Sequence, residues 1–135
     1  MKEGEALRSV TKQITQEAIS EYAVASGDMN PIHVDQEFAA RSQFGGTIAH
    51  GMMVAASVSE MMSAEFGMDW IESGRLKLRF RTPIYPGSEV TAYGQVKCVR
   101  AADGGSEIVC SVGVRNESGE DAVTGEVTVK TEAPS

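Results

Sequence analysis

The chain has 135 residues, 41% hydrophobic and 23% charged, which is the mix of an ordinary globular protein with room for one domain, residues 1–135, and one real core. Its formal net charge of -7 argues against nonspecific nucleic-acid binding, which needs a basic face. No apolar run reaches the roughly 18–20 residues of a membrane span, and Met1-Lys2-Glu3-Gly4-Glu5-Ala6 has no apolar signal-peptide core, so the expectation is a cytoplasmic protein without membrane association.

In chain order, a weak strand precedes Thr15. Thr15 then suits the N-cap of a helix to about Ala25, with Ala18, Ile19, Tyr22 and Ala23 at helical spacing. Ser26-Gly27-Asp28 ends it, and Asn30-Pro31 forbids a simple continuation. Asp35 suits the cap of a short helix holding Phe38, Ala39 and Ala40. From His50 to about Phe66 the residues are helix formers, apolar nearly all the way round, which marks a helix buried on most sides. Its methionines read as core filling, with a flexible ligand channel as the alternative.

The rest is strand-like. Arg75-Leu76-Lys77-Leu78-Arg79-Phe80-Arg81 alternates strictly, with Leu76, Leu78 and Phe80 on one face. Pro83 and Pro86-Gly87 mark a bend, Val90–Val99 a strand, and Ala102-Asp103-Gly104-Gly105 a hairpin turn. Strands over Ile108–Val114 and Ala122–Val129 flank the turn Asn116-Glu117-Ser118-Gly119, and the tail after Lys130 is expected to fray. Helices followed by antiparallel strands give an α+β class, with the sheet curled round the long helix. Cys98 and Cys110 fall in strands and are expected to be reduced and mostly buried. No CxxC or Cys/His ligand spacing, GxGxxG or P-loop occurs, so neither a metal nor a nucleotide cofactor is expected.

The two histidines of the chain lie close together in sequence, in Ser26-Gly27-Asp28-Met29-Asn30-Pro31-Ile32-His33 and in Ile48-Ala49-His50-Gly51-Met52. These two motifs resemble the signature of the MaoC-type (R)-specific enoyl-CoA hydratases and dehydratases. The segment Phe80-Arg81-Thr82-Pro83-Ile84-Tyr85-Pro86-Gly87-Ser88-Glu89-Val90 also fits the strand and turn that follow the helix in that family. The resemblance covers most of the chain. It implies a hotdog fold, a homodimer, a coenzyme A or acyl-carrier-protein thioester substrate, and a place in fatty-acid metabolism or a related pathway.

By that resemblance, Asp28 and His33 hold and activate water during addition across a trans-2-enoyl thioester, or during the reverse dehydration. Imidazole suits this, since it titrates near neutral pH and a neighbouring carboxylate fixes its tautomer. Gly51 is the candidate oxyanion donor, because a glycine at a helix start lets a carbonyl approach its N–H. Asn30, His50, Ser59 and Arg81 are the candidates for lining the substrate. Asn30 shapes the turn or orients a partner through its amide, and His50 is more readily a packed ring bonded to backbone. Ser59 has the alternative of bonding its own helix. Arg81 matches a commonly basic family position, whereas Lys77 and Arg79 are extra cations, either a solvated face paired with acids or a contact for phosphates. The plainer reading of the first motif is an Asx-type turn with His33 merely packed. Competing functions are a hotdog acyl-CoA thioesterase and a subunit of a heteromeric dehydratase.

Overall fold

A computed structural model describes residues 1–132. Local chemistry sets the first helices. Thr15 accepts the N–H of Ala18 at 3.0 Å and starts α1 (Gln16–Ser26), which Gly27 ends in the left-handed region at φ 80°. Asn30 caps α2 (Pro31–Val34), with Pro31 in its first turn, and Asp35 caps α3 (Gln36–Ala40). The long helix α4 (Gly51–Phe66) follows. Then comes α5 (Met68–Ser73), a short helix between Gly67 and Gly74 that the periodicity did not reveal.

The five strands are β1 (Val10–Ile14), β2 (Arg75–Phe80), β3 (Ser88–Ala102), β4 (Gly105–Arg115) and β5 (Asp121–Glu132). They form one antiparallel sheet in the order β1-β3-β4-β5-β2. Its inner face carries cross-strand apolar pairs such as Val114 with Val123, Cys110 with Val127 and Ile108 with Val129. Against it α4 buries Val54, Ala55, Val58, Met61 and Met62, so these methionines fill core. This is the hotdog arrangement, an α+β sheet wrapped round one helix. Among the described residues, no helix is long and apolar enough to cross a membrane.

One expectation needs correction. Strand β5 does not fray after Lys130, because Thr131 and Glu132 pair with Ser106 and Gly105; the tail beyond Glu132 lies outside the described residues. The apolar face of β2 is only partly covered: Leu78 is half-buried against the core. Leu76 is 44% and Phe80 56% exposed. The cause is position: β2 is one of the two edge strands, hydrogen-bonded only to β5, and α4 covers the sheet centre. Strand β2 approaches β5 where Gly125 has no side chain, and a Cβ there would lie 2.1 Å from the Lys77 carbonyl oxygen.

Candidate active site

The site forms where the loop after α1 meets the start of α4. Asp28 sits on that loop, exposed, with Oδ1 accepting the N–H of Asn30 at 3.3 Å. The amide oxygen of Asn30 accepts the N–H of Ile32 at 3.0 Å, so this side chain is engaged as the cap of α2. His33, on α2, is buried, and its Nδ1 lies 2.7 Å from the carbonyl oxygen of Ile48. A carbonyl only accepts, which assigns the proton to Nδ1 and leaves Nε2 with a free lone pair.

His50 is 2% exposed and occupies the N-cap of α4 without capping it through its side chain. Its Nε2–H donates to the carbonyl oxygen of Asp28 at 2.9 Å, while its Nδ1 is buried without a partner. The His33 and His50 rings stack at 3.8 Å and 22°, and Tyr22 tilts against His50 at 4.8 Å. Side-chain ligand atoms of Asp28, His33 and His50 all lie within 4.8 Å of one another. Nearly parallel rings direct their in-plane lone pairs side by side rather than at one point, and each ring already donates to a backbone carbonyl. The trio therefore suits proton transfer better than chelation.

Three uncharged side chains hold this geometry. Gln16 donates from Nε2 to the carbonyl of His33 at 2.9 Å and accepts from Thr47 Oγ1 at 2.7 Å. Gln36 donates to Gln16 Oε1 at 3.3 Å. Ile48 N–H and Ala49 N–H donate to the carbonyls of Ile32 and Ile84. Gln16 and Thr47 have no motif of their own in the sequence, because their role comes from two segments meeting.

Gly51 begins α4. Val54 N–H is the donor that closes the first turn onto the His50 carbonyl, so the N–H groups of Gly51, Met52 and Met53 precede the helix ladder and stand at its positive end. The ring of Phe80 lies against Gly51, and a Cβ there would meet Phe80 Cε1 at 3.0 Å. Two cavities flank this contact. One of about 320 Å³ includes Asp28, His50, Gly51 and Phe80. An apolar cleft of about 280 Å³ includes Phe44, Gly51, Val54, Phe80, Arg81 and Val123. Phe80 was not legible as a site residue, since alternation gives only the face of β2 on which it lies.

Arg81 lines the apolar cleft and donates from Nε to Thr124 Oγ1 at 2.6 Å. Ser59 lines neither cavity. It stands eight residues along α4 from Gly51, about 12 Å at helical rise, and accepts the Trp70 Nε1–H at 2.8 Å, which anchors α5 rather than bonding its own helix.

Known proteins resemble this chain in sequence and fold. The MaoC-like domain family model matches residues 2–120. The chain belongs to this family. A curated relative, the (R)-specific enoyl-CoA hydratase of Aeromonas caviae, is 32% identical over 124 residues, covering 90% of this chain and 89% of its own. The mitochondrial 3-hydroxyacyl-[acyl-carrier-protein] dehydratase of Arabidopsis thaliana is 35% identical over 101 residues, 74% of this MaoC-like chain and 58% of the plant protein. The solved structure of the (R)-hydratase from A. caviae involved in PHA biosynthesis superposes with TM-score 0.83 at 27% identity, covering 99% and 98% of the two chains.

Proposed function

We propose that this MaoC-like chain is a hydro-lyase that adds water across trans-2-enoyl thioesters to give (R)-3-hydroxyacyl thioesters, or runs the reverse dehydration. The observation that carries the reading is the His33 tautomer. Its Nδ1–H is committed to Ile48, which leaves Nε2 as the proton acceptor of a ring that lies close to the Asp28 carboxylate. In this reading the pair holds one water. Its oxygen bonds to C3 as the C2–C3 double bond is consumed, and the proton it loses to the pair is returned at C2. The Gly51 N–H, at the positive end of α4, receives the enolate oxygen of the thioester; a donor of this kind contributes about 3 kcal/mol of transition-state stabilisation. The names of the A. caviae and plant relatives support both directions of the reaction and both carriers.

The exposed apolar residues of β2, a strand at the sheet edge, support assembly as a homodimer. The two free thiols, Cys98 and Cys110, on adjacent strands fit a reducing cytoplasm. Incubation with crotonyl-CoA tests the reaction. Loss of enoyl absorbance without release of free thiol is expected, whereas thiol release identifies a thioesterase and overturns the reading. Asp28→Ala and His33→Ala are each expected to lower kcat by about 10²-fold or more with circular dichroism unchanged. Wild-type turnover in either variant removes that residue from the mechanism.

A further inference from the structure

The outer face of β2 holds cations that no acid neutralises. Phe80 faces α4 through Gly51, so strand alternation sends Lys77, Arg79 and Arg81 to the opposite face of the sheet. There they line a groove of about 390 Å³ with Ser111, Thr124, Gly125 and Glu126. A solvated strand face would pair them with acidic neighbours. Yet the ion pairs among the described residues are Lys12 with Glu60, Lys97 with Glu126 and Arg100 with Glu107. Glu126, the one acid lining the groove, faces Lys77 in the strand register, but Lys97 bonds it at 2.5 Å and holds its carboxyl below the usual carboxylate range. That pair is neutral overall, so the groove keeps the charge of three cations in a chain whose net charge is -7.

Arg81 borders both the groove and the candidate active site, where it lines the apolar cleft beside Gly51. From Arg81 to Lys77 is four residues of strand, about 13 Å, a span the pantetheine arm between a thioester and its first phosphate can cover. Guanidinium and ammonium groups at this spacing suit a polyanion with separated phosphates. We propose that the outer face of β2 binds the phosphate groups of the thioester carrier through Lys77 and Arg79, with Arg81 at the junction to the reactive end. The inference rests on the thioester reading given above. The phosphates have two sources, the diphosphate and 3′-phosphate of coenzyme A, or the phosphodiester of a carrier protein's pantetheine group.

The experiment compares wild type with the double variant Lys77→Ala, Arg79→Ala. KM is measured for crotonyl-CoA, crotonyl-pantetheine, which has no phosphate, and crotonyl-acyl carrier protein; the Kd of coenzyme A itself is measured by calorimetry at two salt concentrations. Wild type is expected to favour crotonyl-CoA over crotonyl-pantetheine, and the double variant to lose on the order of tenfold of that preference. Coenzyme A should bind the variant correspondingly more weakly, with a smaller dependence on salt. A loss confined to the carrier-protein substrate assigns the groove to the pantetheine phosphodiester. Unchanged preference, unchanged carrier-protein KM and unchanged Kd overturn the proposal. If wild type hydrates no thioester but binds coenzyme A through Lys77 and Arg79, the hydratase reading fails and the groove stands.

Discussion

His50 shows what one residue costs and supplies. Its Nδ1 is a buried acceptor with no partner, an arrangement that costs about 1–3 kcal/mol, while its Nε2–H fixes the backbone of Asp28 and its ring supports His33 from behind. A position that carries this penalty is set by the site rather than by stability. Gly51 is constrained differently. Its Cβ-less face touches the Phe80 ring, the shared wall of the two cavities. In Gly51→Ala the ring, half exposed, can shift aside, so the melting temperature should stay within a few degrees. The methyl group and the displaced ring then stand where the proposed oxyanion contact puts the thioester carbonyl. Misplacement by about 1 Å costs up to 10²-fold, so kcat/KM is expected to fall at least tenfold. An unaltered kcat/KM would remove the Gly51 N–H from the proposed oxyanion contact.

At the scale of elements, those with local chemistry were legible in the sequence. Thr15 and Asp35 announce α1 and α3 because a cap is made within three residues, and α4 announces itself by an uninterrupted apolar run. Helix α5 was not legible: six residues carry too little periodicity, and what holds it is the distant Trp70–Ser59 bond. The same limit explains Ser59 itself, whose partner lies eleven residues on, and the Gln16–Thr47 bond, which joins segments 31 residues apart. Strand β2 was legible as a strand but not as an edge, since alternation defines two faces without saying which is covered. That edge leads to a prediction. Strand β2 pairs only with β5, so its outer backbone groups are open beside Leu76 and Phe80, the kind of edge that a second copy covers. Wild type is expected to elute as a dimer in light-scattering chromatography, and Leu76→Asp as a monomer with native circular dichroism. Dimers in both at equal concentration would locate the interface elsewhere.

Stability of the whole molecule is tied to pH by a residue far from the site. Cys110 is fully buried on β4 among the apolar pairs of the sheet, and burial pushes its thiol up to about 11. In the unfolded chain the thiol ionises near the ordinary cysteine value, about 8.5. The group therefore supports the folded state fully below that value. Between it and about 11 the unfolded chain has lost the proton that the folded chain retains, so stability falls as pH rises. Tyr93 adds a loss of the same sign at higher pH, since burial and its bond to Asp121 raise its phenol. A comparison of wild type with Cys110→Ala cancels that contribution. By urea unfolding, Cys110→Ala should be less stable at pH 8, because it leaves a small void in the core. The gap should close by on the order of 2 kcal/mol by pH 11, as only wild type loses the thiol's contribution. A gap independent of pH over that range would show that the Cys110 thiol does not govern the alkaline limb.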